Sequence, residues 1–214
     1  MAVFHFHLSQ EAKRQRIQDK IIATHAGIEE YSAGYLKSWQ LLKLKIDASE
    51  VHLNSKDIIK FRPATSKGKW KQQSGLELDE KLSTERWQIL RILEDLEHEI
   101  PHAVCDIRQN IQVDKTKGLT VAEMKAIMRV MAVRIGLDCY RRHSIMPILA
   151  ISYLNRKQGR ILQAHHNGKR VVIQYTKVLE LDGHEHHPIE LFLRYYCSQP
   201  VGKTANKQKD LSSG

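Results

Sequence analysis

The sequence predicts an α+β protein, with a mainly helical N-terminal two-thirds and a C-terminal three-stranded antiparallel β-meander. Three observations carry that prediction. Apolar residues recur every three or four positions from Ile17 to Ile46, the period of an amphipathic helix. Thr120-Val-Ala-Glu123 is a capping box ahead of an apolar run, a helix-start signature. Asn167-Gly168 stands between alternating β-branched stretches, the strongest short-range hairpin signal.

Four stretches follow in chain order. Residues 1–53 read as a short strand plus a long amphipathic helix. Val3 to Leu8 alternates Phe4 and Phe6 with His5 and His7, which predicts a strand. Ser9 then fits a helix N-cap. The seam Ile17, Ile21, Thr24, Ile28, Tyr31, Tyr35, Trp39, Leu42 and Ile46 predicts a helix to about Ala48, with Lys13, Arg16, Lys20, Glu29 and Lys43 on its polar face. Residues 54–75 read as a basic loop rich in Pro, Ser and Gly.

Residues 76–200 read as a helical core closed by the β-meander. Trp87, Leu90, Leu93 and Leu96 predict a helix over residues 83–100, which Pro101 stops before helix resumes through Ile107 and Ile111. Met124, Ile127, Met128, Met131 and Ile135 form the buried face of the capped helix, with Gly136 placed to end it. Residues 138–154 read as a buried helical piece broken near Pro147. The period then changes to two: residues 160–166 and 169–181 are expected as paired strands, and residues 189–196 as a third. Residues 201–214 read as a flexible tail.

The composition is that of a globular chain: 214 residues, 42% apolar and 27% charged. Cys105, Cys139 and Cys197 are odd in number, widely spaced and without a Cys-x-x-Cys. A disulfide framework and a zinc ribbon are therefore not expected, and a cytoplasmic location is. The N-terminus does not read as a signal peptide. No run of apolar residues is long enough to span a membrane.

Charge is the strongest functional signal. The formal net charge is +10. Residues 106–170 hold thirteen Lys/Arg against Asp106, Asp114, Glu123 and Asp138, so this stretch carries nearly all the excess. Dense positive charge predicts a polyanionic partner, and nucleic acid, with DNA expected, is the commonest. The expected phosphate contacts are Lys125, Arg129, Arg134, Arg141, Arg142, Arg156, Lys157, Arg160, Lys169 and Arg170. Lys56, Lys60, Arg62, Lys67, Lys69 and Lys71 form an auxiliary basic arm. The order helix, helix, hairpin matches a winged helix-turn-helix in outline, with Asn167-Gly168 as the wing tip. The mostly apolar run Ser144 to Leu154 argues against base reading by the second helix. No phosphate loop, nucleophile elbow or dinucleotide fingerprint occurs. A non-enzymatic nucleic-acid-binding protein without a cofactor is the leading expectation.

Two alternatives stand beside it. The first is a homo-oligomerising interaction module, in which the acidic stretch 76–99 meets the basic stretch 106–170 of another copy. The second is a metal-dependent nicking enzyme. His5-Phe6-His7 would place two imidazoles on one strand face, and Tyr31 and Tyr35 share a helix face. This pairing resembles the rolling-circle replication initiators and relaxases. The resemblance implies a metal held by His5 and His7 and a tyrosine nucleophile. His184, His186 and His187 are a further candidate metal cluster, with donors suited to zinc. Their spacing fits a polar turn between strands better.

Overall fold

The stretches from Ala103 to Ile107 and from Ile148 to Ser152 are buried throughout, and they form the centre of the molecule as strands. The computed structural model describes residues 2–32, 34–51, 61–62, 70–72, 87–182 and 187–205. In chain order the elements are α1 (Ala2–Glu29), α2 (Ser38–Lys43), β1 (Ile46–Glu50), β2 (Phe61–Arg62), β3 (Trp70–Gln72), β4 (Trp87–Asp95), β5 (Ala103–Gln109) and α3 (Val121–Gly136). A 3-10 turn (Asp138–Tyr140) leads on to β6 (Ile148–Tyr153), β7 (Gln158–His166), β8 (Val171–Tyr175), β9 (Leu179–Glu180), α4 (His187–Tyr196) and β10 (Gln199–Pro200).

This architecture overturns the expected helical N-terminal two-thirds with a three-stranded meander. The described residues form a mixed eight-stranded sheet in the order β1-β8-β7-β6-β5-β4-β3, with β9 paired to β7. β5 and β6 run parallel, joined through α3, and β1 runs parallel to β8. The hairpins β4–β5, β6–β7 and β7–β8 are antiparallel.

Helices cover both faces. On one, Ile17, Ile21 and Ile28 of α1 and Met124, Ile127, Met128 and Met131 of α3 join a core with Ile92, Cys105, Ile107, Ile148, Ala150, Leu162 and Ile173. On the other, Phe192 and Tyr195 of α4 pack with Phe61, Val104, Leu149, Ile151 and Ile161. Alternate residues of one strand thus serve opposite cores, as a two-faced buried sheet requires.

The local corrections have physical causes. β6 is apolar on both faces, so it shows no alternation and reads as buried helix. A register shift between Ile89 and Arg91 inserts an extra residue in β4 and changes the phase of its pleat. Ile89 and Ile92 therefore reach the same core three residues apart, a helical spacing made by a bulge. Residues 189–196 lie in α4 rather than a strand. Residues 3–8 are helical within α1.

The long helix expected to Ala48 ends at Glu29, and α2 and β1 follow. Gly27 lies in the last turn of α1, and a Cβ built there would lie 2.8 Å from Leu44 Cδ2, so a larger residue would require the Leu44 side chain to shift. The capped helix and the hairpin form where expected. The Thr120 hydroxyl accepts from Glu123 N–H at 3.0 Å, and the Glu123 carboxylate accepts from Thr120 N–H at 2.9 Å. Most of the basic loop 54–75 lies outside the described residues, as do residues 206–214.

Candidate nucleic-acid interface

Three of the predicted phosphate contacts are structural ion pairs. Arg160 is 1% exposed. Its guanidinium grips the Glu123 carboxylate through Nε at 2.7 Å and through Nη2, and donates from Nη2 to Gly118 O at 3.0 Å. Burial opposes the Arg160 charge, but Glu123 more than offsets it, so the pKa lies above the ordinary arginine value. Arg134, fully buried, donates to Glu94 at 3.2 Å and to Pro101 O and His102 O. Its guanidinium also stacks 4.6 Å from the Tyr140 ring centroid. Lys125 is buried and pairs with Glu29 at 3.1 Å. These groups fasten α3 to the sheet, to the β4–β5 connection and to α1, with charges already compensated.

The exposed members divide between regions. Arg156 and Lys157 lie in the turn before β7, and Lys169 and Arg170 lie in the turn after it. A nine-residue strand separates them, roughly 26–30 Å at ~3.3 Å per residue. Arg129 is exposed on α3, close enough to His25 for its charge to help lower that imidazole's pKa, after burial, the larger cause. Arg141 and Arg142 are exposed beyond the 3-10 turn, with Arg141 3.3 Å from Glu11. The ten residues therefore do not share one patch.

Lys169 and Arg170 do enter a basic concentration, with partners from elsewhere in the chain. A cleft of about 260 Å³ is lined by Lys20, Thr24, Gly27, Glu30 and Tyr31 from α1 and its exit, by Lys43, Leu44 and Lys45, and by His166, Lys169 and Arg170. Five permanent cations thus face one lining carboxylate. Arg170 lies 4.0 Å from Asp47, a weak exposed contact. Among the described residues, Lys43, Lys45 and Lys169 have no ion-pair partner.

The cleft is held by backbone. The Asn167 side-chain oxygen accepts from Lys169 N–H at 2.9 Å and Arg170 N–H at 3.0 Å, and Gly168 takes φ +93°. Lys20 donates to Gly168 O at 2.8 Å, tying α1 to the tip. His166 Nδ1 accepts from Gly168 N–H at 2.9 Å. Burial, with the nearby Lys20 charge, pushes the His166 pKa down to about 4, so the ring is neutral at pH 7 and keeps that acceptor. Lys45 adopts φ +57°, a left-handed conformation that costs of order 1 kcal/mol for a residue with a side chain. Its carbonyl accepts from Val171 N–H at 3.1 Å, locking it to the start of β8.

Sequence reading placed Lys20 and Lys43 on a helical polar face and did not single out Lys45. No local signal joins residues 20, 43–45 and 166–170, because the parallel pairing of β1 with β8 and the contact of α1 with the β7–β8 turn bring these segments together.

The other candidates fare differently. His5 and His7 lie on helix rather than strand, where positions two apart lie about 200° apart around the axis. Tyr35 is in no helix: it bridges Thr120, and its hydroxyl accepts from Asp114 N–H at 2.9 Å. Neither local geometry behind the relaxase resemblance forms. His184 and His186 lie outside the described residues, and nothing is described of the His187 side chain. Of the auxiliary arm, Lys56, Lys60, Lys67 and Lys69 lie outside, while Arg62 and Lys71 are described only as backbone in β2 and β3. Among the described residues, no three His, Cys, Asp or Glu are grouped to hold a metal, and no helix is long and apolar enough to cross a membrane.

Fold and site together define an α+β protein with a mixed sheet and a basic cleft at the β7–β8 turn. Compared with protein-family models, with curated proteins and with solved structures, the chain matches none.

Proposed function

We propose that this is a non-enzymatic nucleic-acid-binding protein that holds phosphates in the cleft between α1 and the β7–β8 turn. The observation that carries this reading is the convergence of Lys20, Lys43, Lys45, Lys169 and Arg170 around a single lining acid, Glu30. Clustered cations repel one another, and a polyanion relieves that cost. Arg134, Arg160 and Lys125 act as fold supports, not phosphate ligands. The proposed partner is DNA. The proposed compartment is the cytoplasm, in keeping with three free cysteines.

Salt tests the reading. Each neutralised phosphate releases counterions, so the log–log slope of affinity against salt is about −0.7 to −0.9 per contact. Five contacts predict a slope near −4 between 50 and 200 mM salt, measured by fluorescence anisotropy on a labelled oligonucleotide. Absence of binding at 50 mM salt, or a flat salt response, would refute it.

A further inference from the structure

The helix α2, whose last residue lines the cleft, carries an aromatic ring that is exposed among the described residues. Trp39 is 59% exposed, and its neighbour on α2, Leu42, is 74% exposed. A tryptophan that packs buries about 150–250 Å², so leaving one in water gives up a large apolar contribution. Lys43, four residues on, lines the cleft. Helical residues four apart share a face, with Cβ atoms roughly 5–6 Å apart. Trp39 therefore shares a face of α2 with the cleft-lining Lys43. Tyr31, half-buried, forms part of the cleft wall.

Cations beside an open aromatic face are what a single strand needs: the cations follow the phosphates, and unpaired bases stack on the ring. A duplex keeps its base faces stacked internally and gives the indole nothing to hold. We propose that the cleft binds single-stranded nucleic acid, with phosphates on Lys20, Lys43, Lys45, Lys169 and Arg170 and a base stacked on Trp39. This rests on the nucleic-acid reading above and adds the form of the polymer.

The test compares a 20-nucleotide oligothymidine with a 20-base-pair duplex, using wild type, Trp39→Ala, Trp39→Phe and Lys45→Glu/Lys169→Glu. The single strand should bind tighter than the duplex at equal salt. Trp39→Ala should weaken it about tenfold, within the range measured for base–aromatic stacking, and change duplex affinity less than twofold. Trp39→Phe should keep most of the single-strand affinity. Equal affinity for both forms would overturn the inference, as would an unaltered Trp39→Ala variant. A Trp39→Ala variant that loses self-association and not oligonucleotide binding would mark the ring as a contact with a second copy, which also overturns it. If both oligonucleotides bind and the lysine reversal weakens both while Trp39→Ala does nothing, this inference fails and the nucleic-acid reading stands. If neither binds at 50 mM salt, the underlying reading fails.

Discussion

The two ends of the β7 strand carry similar numbers of lysines and arginines, and more of them are ion-paired at the β6–β7 end, where the exposed Arg156 is the exception among the described residues. Around the β6–β7 turn, Lys115 pairs with Glu180, Lys117 lies 3.3 Å from Asp114, and Lys157 lies 2.8 Å from Asp182. Beneath them Arg160 is buried against Glu123. Around the β7–β8 turn, five cations line a cleft with one acid. The Debye length is about 8 Å at physiological ionic strength, so ends separated by most of a strand act independently. The two ends differ in the share of cations that have an ion-pair partner among the described residues, not in the number of cations.

The largest effect that separates these roles falls on Arg160. Replacing it with alanine leaves Glu123 buried and unpaired, at a cost of about 3–5 kcal/mol. Thermal unfolding should shift down by roughly 10 °C. A variant as stable as wild type would mean that the pair does not fasten α3.

Next comes paired charge reversal. Lys45→Glu/Lys169→Glu should weaken oligonucleotide binding at least tenfold and flatten the salt slope by about 1.5, as two phosphate contacts are lost. Lys115→Glu/Lys157→Glu, at the other end, should change affinity less than threefold. Equal losses from both pairs would mean that general charge, not the cleft, drives binding.

The smallest effect concerns His166. Its pKa is lowered by burial first and by Lys20 second, to about 4 against an ordinary 6.5. The neutral ring therefore contributes stability that is fully present above pH 6.5 and is lost as pH falls toward 4. Thermal stability should decline over that window, and His166→Gln should reduce the decline. An unchanged pH profile in the variant would assign the loss to other groups.

Part of the fold was legible in the sequence. The capping box at Thr120, the apolar face from Met124 to Ile135, the first part (Ile17 to Ile28) of the seam expected to run to Ile46, and the Asn167-Gly168 turn each depend on neighbours in sequence, and each formed. β4, β5 and β6 were not legible. Strands buried on both faces lose their alternation, and the bulge at Ile89 gave β4 a helical spacing. The site was readable only at Lys169 and Arg170. Arg134 and Arg160 look like any other arginine in a basic stretch, and only their partners Glu94 and Glu123, forty and thirty-seven residues away, reveal that they are interior. Lys45 joins the cleft through strand pairing between distant segments, which leaves no local trace.

Lysine acetylation footprinting tests the contrast most directly: the protein is labelled with and without an oligothymidine at low salt, and each lysine is read by mass spectrometry. Protection is expected at Lys20, Lys43, Lys45 and Lys169, with Lys115, Lys117 and Lys157 reacting equally in both samples. Protection confined to the second group, or spread evenly over both, would contradict the assignment of the β7–β8 cleft as the binding surface.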